Sequence, residues 1–331
     1  MTKGIKNALA AAGLSILAAT VLSQPAASSD WPSKPVRIIS PVAAGGTSDT
    51  LGRILAQHFG EMFNQRFYVE NRPGAGGLIG SAVVANSEPD GYTLLVAENA
   101  LAISQALYKN HPSKFDPVRQ YDAIAATGST PLVLAAANNT PFNTFAELVT
   151  YSKSLPQKLN YAHAGAGSVT HLSFEVVRDG AGMDTVPVPY KGGGPAVADV
   201  IAGHVPITMA SLSVAKPLVE GGKVKGLFVT SQQRSPALPN VPSVKEIGLK
   251  YADVDLEFWW GIFGPKGIPA PVREKLEKAF QSVMANPAVR ERLAKVDTNS
   301  TFAPGAVLRA KLESEIKNWS AFIDAKGIKV E

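Results

Sequence analysis

The chain runs repeatedly from a short apolar strand through a glycine-bearing turn into an amphipathic helix, and that rhythm restricts it to a small set of folds. Val36-Arg37-Ile38-Ile39-Ser40-Pro41-Val42 reads as a strand. The turn Ala43-Ala44-Gly45-Gly46-Thr47-Ser48-Asp49 follows, and Leu51, Ile54, Leu55 and Phe59 then recur at helical spacing. Strand-like runs return at 67–70 and 92–97. A second set reads as strands at 132–137, 159–164, 186–190, 207–210 and 224–230, with helices over 144–154 and from Ser168 onward. Such alternation predicts an α/β architecture with largely parallel sheets. The 331 residues exceed what one hydrophobic core usually serves, so two lobes are expected. The aromatic run 257–263 reads as a strand that returns the chain to the first lobe, ahead of amphipathic helices over 271–285 and 304–325. The reading therefore places a discontinuous first lobe at 29–128 and 251–331, with the second lobe, 129–250, inserted into it.

The first 28 residues carry a different signal. Lys3 and Lys6 precede an apolar stretch from Ala8 to Leu22, and small or polar residues follow from Ser23 to Ser29. Basic, apolar, then small is the order of a secretory signal peptide, here with cleavage near Ala26-Ala27-Ser28. The apolar run is short for a membrane span. An exported, periplasmic chain is the expectation. With no cysteine it has neither a disulfide framework nor a lipidated N-terminal cysteine, and packing alone must hold it. Apolar residues at 45% and charged residues at 18% suit a folded chain rather than a disordered one. Removing the two signal lysines takes the formal charge from +5 to +3, because residues 1–28 contain no acid. No basic stripe appears, so nucleic acid is not an expected partner.

The strand-to-helix turns carry the chemistry. A helix start offers unpaired N–H groups and the positive end of the helix dipole. Glycines let a ligand approach that backbone, and hydroxyls add donors without charge. Gly45-Gly46-Thr47-Ser48-Asp49 has these properties and is a candidate carboxylate or phosphate site. An ordinary capped turn explains the segment equally well by itself. Gly165-Ala166-Gly167-Ser168 repeats the design, with His171 just inside its helix, and two such turns can close on one anion. Lys191 and Gly192 open a third glycine-rich turn, and Ser211 follows the strand at 207–210 of the second lobe. Trp259 and Trp260 are candidates for an aromatic wall.

Signatures of other chemistry are missing. Gly74-Ala75-Gly76-Gly77-Leu78-Ile79 fails the dinucleotide fingerprint at Ile79, and no phosphate-binding GxxxxGK[ST] loop occurs. No GxSxG or HExxH motif occurs, and the five histidines are dispersed. No metal or other cofactor is expected. Ser168 and His171, three residues apart, leave a hydrolytic dyad open as an alternative to a helix cap beside a packed histidine.

The segments Trp31-Pro32, Ala43 to Asp49, Val69-Glu70-Asn71-Arg72-Pro73-Gly74 and Pro89-Asp90-Gly91-Tyr92 together resemble the substrate-binding proteins of tripartite tricarboxylate transporters, the Bug receptors. Gly165 to Ser168, Val188-Pro189-Tyr190-Lys191-Gly192, Leu238 to Ser243 and Trp260 to Pro265 continue the likeness over nearly the whole mature chain, in order. The resemblance implies a periplasmic-binding-protein (Venus flytrap) fold of two α/β lobes joined by a hinge. It implies capture of a small carboxylate by backbone amides, hydroxyls and bridging waters from Val42–Asp49 and Gly165–Ser168. It also implies delivery to membrane permease subunits or to a sensor, by a receptor that works as a monomer and catalyses nothing. A sulfonate or phosphonate is the alternative anion. Two departures bear on the ligand. Val42 stands where the family often has an aromatic residue. Glu98-Asn99-Ala100-Leu101 replaces small residues after the strand that ends at Ala97. A Glu98 facing the cleft would oppose a second ligand carboxylate and suit an amine, a hydroxyl or an apolar ring. A Glu98 facing solvent would have no such effect.

Overall fold

The computed structural model describes residues 31–44, 47–251, 253–295 and 298–329. The expected signal peptide therefore lies outside the described residues, as do Gly45 and Gly46. The first part of the chain forms β1 (Val36–Ser40), α1 (Thr47–Phe63), β2 (Phe67–Asn71), α2 (Leu78–Ala85), β3 (Thr93–Glu98), α3 (Ala100–Leu107), α4 (Pro117–Gln120) and β4 (Tyr121–Thr130). Next come β5 (Leu132–Ala137), α5 (Phe145–Ser154), β6 (Leu159–His163), α6 (Val169–Ala181), β7 (Thr185–Pro189), α7 (Gly193–Ile201), β8 (Ile207–Ser211), α8 (Leu212–Glu220) and β9 (Val224–Val229). After a long connection the chain ends with β10 (Phe258–Pro265), α9 (Ala270–Ala285), α10 (Pro287–Ala294), β11 (Asn299–Pro304) and α11 (Gly305–Lys326).

These elements build two sheets. The first has the order β11-β4-β10-β3-β1-β2, the second β7-β6-β8-β5-β9. The chain passes from one to the other at Pro131 and returns through 230–257. Neither sheet is largely parallel, which corrects the expectation from the sequence. The β1 pairs with β2 and β3, and the β6 pairs with β7 and β8, are parallel. Strand β10 runs antiparallel between β3 and β4, β11 lies antiparallel on β4, and β5 is antiparallel to β8 and β9. The reason is connectivity: β10 enters the first sheet only after the whole second sheet has formed, so no βαβ crossover dictates its direction. Strand β11 lies where the sequence suggests no element before the helix expected from Pro304, and it has no apolar alternation to reveal it; its residues are half-exposed or exposed.

The first sheet is buried on both faces. Ile38, Leu94, Val96, Trp260 and Ile262 face α1, α9 and α10, meeting Phe59, Phe280 and Leu293. Ile39, Leu95, Ala97 and Phe263 face the other way, toward Leu101, Leu308 and Trp319. Successive strand residues alternate between the two layers, as a pleated strand requires. Helix starts follow their local chemistry. Thr144 Oγ1 accepts from the Glu147 N–H at 3.2 Å, and Glu147 reaches back to the Asn143 N–H at 2.7 Å. Helix α11 can begin directly against β4 only because Gly305 has no side chain: a Cβ there would stand 2.1 Å from the Ala123 carbonyl oxygen.

Candidate functional site

A cavity of about 350 Å³ opens between the two sheets. Pro41, Val42, the Gly74–Gly77 loop, Ala97, Glu98, Ala100 and Leu101 contribute from the first sheet, and Ala164 to Thr170 contribute from the second. A wider hollow of about 800 Å³ is lined by 143–149, 180–181, 226–227 and 240–250, all belonging to the second-sheet half. The smaller one is the candidate site because both halves wall it, so a ligand there would bridge them.

The second-sheet wall is the start of α6. Ser168 is its N-cap, accepting the His171 N–H on Oγ at 3.2 Å. Two buried imidazoles lie beneath the turn, their centroids 4.3 Å apart. The Gly165 N–H donates to His163 Nδ1 at 3.2 Å, and the Gly167 N–H donates to His171 Nδ1 at 3.1 Å. Ala164 N–H donates to Thr170 Oγ1. The two glycine N–H groups that the sequence offers as ligand donors are thus already engaged. The N–H groups of Ala166, Val169 and Thr170 keep no partner among the described residues. Val169 and Thr170 are the first two helical residues, whose donors the helix cannot pair internally. Added to the dipole of the 13-residue α6, they make this wall electropositive without a charged side chain.

The histidines also settle the Ser168–His171 geometry. A backbone N–H can only donate, so His171 Nδ1 is an acceptor and the neutral ring carries its proton on Nε2. Ser168 Oγ meets the His171 backbone and Thr170 Oγ1, at 3.2 and 3.1 Å, rather than an imidazole acceptor. Among the described residues no general base stands beside that hydroxyl.

Burial, then neighbouring His163 and Arg178, lowers the His171 pKa from 6.5 to about 4. The unfolded chain therefore binds the extra proton between those values while the folded chain resists it. Stability is fully held above pH 6.5 and falls as the pH drops toward 4. At about 1.4 kcal/mol per pH unit the loss reaches about 3 kcal/mol. Urea midpoints measured at pH 7.5 and 4.5 read this out. His171→Asn keeps an acceptor for Gly167 but does not titrate, and it should remove most of the difference. An unchanged pH slope in that variant would assign the loss elsewhere.

The first-sheet wall contains Glu98. Trp260 lies directly opposite it in the β10–β3 ladder. The Trp260 Nε1–H donates to Ser48 Oγ at 3.0 Å, and Ser48 Oγ–H donates to Glu98 Oε2 at 2.7 Å. Burial raises the Glu98 pKa above the ordinary carboxyl value, against the pull of those two donors. Asp49 is turned elsewhere, accepting from Asn71 Nδ2 at 2.9 Å and Arg53 Nε at 3.0 Å. Ala43 and Ala44 are exposed beside the rim, and Thr47 begins α1.

Several expected residues stand outside the cavity wall. Trp259 is buried on the opposite face of β10, its ring 5.7 Å from the Lys311 ammonium. Phe258, stacked on Trp260 at 6.1 Å, supplies the aromatic lining instead. Asn99 is buried and ties Nδ2 to the Glu257 carbonyl at 3.0 Å. Lys191 is exposed, Gly192 caps α7, and Ser211 caps α8 with its hydroxyl on Ser213. The sequence reading passed over the Gly74–Gly77 loop, Ser81 and Tyr108, which line the cavity. A run of three glycines within four residues was the available signal. Gly74, Gly76 and Gly77 take φ of 133°, 60° and 88°, values that side-chain-bearing residues rarely adopt.

Residues 51–328 match the family model described as the tripartite tricarboxylate transporter family receptor. The chain belongs to that family. Among its relatives, a UPF0065 protein from the TAR-I ttuE-ttuC' intergenic region of Agrobacterium vitis is 35% identical, covering 94% of this chain and 90% of the relative. The fold is the two-lobed one of periplasmic binding proteins. The periplasmic binding protein BugD is 31% identical with a TM-score of 0.77, over 91% of this chain and 100% of BugD. MatC of Rhodopseudomonas palustris, solved with bound malate, is 30% identical at a TM-score of 0.75, over 88% and 99%. Rpa4515 of R. palustris, solved with adipate, is 27% identical at 0.79, over 90% and 99%.

Proposed function

We propose that this receptor-family chain captures a small organic carboxylate in the cavity between its sheets and passes it to membrane permease subunits or to a sensor. The observation that carries the reading is the α6 start facing the first-sheet wall, with unpaired Val169 and Thr170 N–H groups and no cation needed to hold an anion. Relatives with malate and adipate support it. We assign the lobes to 29–128 with 251–331 and to 129–250, with Pro131 and 230–257 as the hinge about which they close. Residues 1–28 act as the export signal to the periplasm. Among the described residues no helix is long and apolar enough to cross a membrane, and we assign the permease role to a separate partner. The protein works as a monomer and carries out no reaction: the Ser168 hydroxyl has no base, which argues against hydrolysis. Carboxylate is preferred to sulfonate because the related MatC and Rpa4515 were solved with malate and adipate.

A thermal-shift series on protein refolded from denaturant, hence stripped of ligand, tests this. A carboxylate at 100 times its dissociation constant adds about 2.7 kcal/mol and raises the midpoint by several degrees. Sulfonate isosteres should shift it less. No shift with any aliphatic, amino or aromatic carboxylate would refute the reading.

A further inference from the structure

Glu98 is the one acidic side chain lining the cavity, and no lysine, arginine or histidine side chain lines it among the described residues. Nor does any described cation pair with it; its environment is burial plus the donors from Ser48 and Trp260. The Trp260 indole N–H can only donate, so the Ser48 hydroxyl proton is committed to Glu98 Oε2. That relay holds Glu98 Oε2 in place. A half-buried acid held by two donors and facing an otherwise uncharged hollow lacks its counter-ion.

We propose that Glu98 is the specificity-determining residue of the site and receives a protonated amine of the ligand, so that the preferred solute is an amino carboxylate. The proposal rests on the carboxylate reading above and extends it. The ligand's carboxylate meets the α6 N–H groups from one sheet and its ammonium meets Glu98 from the other. A zwitterion so placed leaves no net charge buried. A dicarboxylate would set its second carboxylate against Glu98, and a simple alkanoate would leave the acid unpaired. The opposed electrostatic walls also explain why this site needs no arginine clamp.

Calorimetric titration of the refolded, ligand-free protein with matched series tests this: α- and ω-amino carboxylates of three to six carbons, the alkanoates in which methyl replaces ammonium, and the corresponding dicarboxylates. The best amino compound should bind at least tenfold more tightly than its alkanoate and dicarboxylate isosteres. In Glu98→Gln, and in Glu98→Thr as a second variant of smaller volume, that preference should fall by tenfold or more while alkanoate and dicarboxylate binding holds or improves. Wild-type protein preferring a dicarboxylate or alkanoate, or keeping its amine preference in both variants, overturns the role of Glu98 and leaves the carboxylate site standing. No saturable binding in any series, with the melting transition intact, overturns both.

Discussion

Replacing Trp260 by alanine should cost about 4 kcal/mol of stability, the expected range for emptying a buried tryptophan site. The indole is 1% exposed and sits in the layer shared with Phe59, Phe280 and Ile262. Its loss opens a void at the centre of the first sheet, where β10 on one side and α1 on the other are fixed by the rest of the fold. Trp260→Phe separates the two contributions. Most of the aromatic volume stays, part of the indole and its N–H are lost, and Ser48 Oγ is left without its donor, for about 2 kcal/mol. Urea midpoints should fall in the order wild type, phenylalanine, alanine, at unchanged slope. The phenylalanine variant should also loosen the Glu98 relay, because a freed Ser48 hydroxyl can rotate. Equal midpoints for wild type and Trp260→Ala would mean that the indole is not packed in this layer.

The same tryptophan shows where the sequence was legible and where it was not. Leu51, Ile54, Leu55 and Phe59 recur at helical spacing, and all four are buried on one face of α1. Thr144 and Ser168 stand just before apolar-periodic runs, and both cap helices. These are short-range signals, carried by residues within one or two turns of each other. The side on which a strand residue points is different. β10 and β3 are apolar on both faces, so their period of two leaves no polar stripe to mark solvent. That is why Trp259 could not be told from Trp260, or the direction of Glu98 decided, until the β10–β3 register placed Glu98 opposite Trp260. Nor can spacing show that His163 and His171 consume the Gly165 and Gly167 N–H groups, since the stacking of the two rings depends on how β6 and α6 pack. The glycine-bearing turn before α6 was readable; which of its N–H groups stay unpaired was a tertiary question.

The two walls of the site divide the work. The α6 wall uses backbone donors held by neutral imidazoles, so its geometry is stiff and its field is fixed near neutral pH. The first-sheet wall uses side chains, Glu98, Phe258 and Val42 among them, which substitution can alter without disturbing the fold. Val42 and Glu98 both lie on that first-sheet wall.

Asp122→Ala should be nearly as damaging as the loss of Trp260, at about 3 kcal/mol, and for an electrostatic reason. Asp122 sits at the start of β4 with its side chain only 5% exposed. It accepts the Lys266 ammonium at 2.8 Å and the Gly267 and Ile268 N–H groups at 2.9 and 3.0 Å, pinning the turn from β10 into α9. Removing the carboxylate strands two backbone donors. The effect lies at the low end for a broken buried pair because the half-exposed Lys266 stays hydrated. Asp122→Asn can still place an oxygen on both N–H groups, so it should cost about 1 kcal/mol. Burial pushes the Asp122 pKa up, but the Lys266 and backbone bonds outweigh it and hold the carboxyl below its ordinary value. Its contribution is therefore complete above an unfolded pKa of about 3.9 and is lost as the pH falls below that. The His171 loss occupies the range above pH 4. Acid destabilisation should thus show two separable steps, the upper one reduced in His171→Asn, with buried His163 supplying the remainder, and the lower one reduced in Asp122→Asn. If Asp122→Asn instead matches Asp122→Ala, the Lys266 ion pair rather than the backbone clamp carries the stability, and the turn into α9 is held by charge alone.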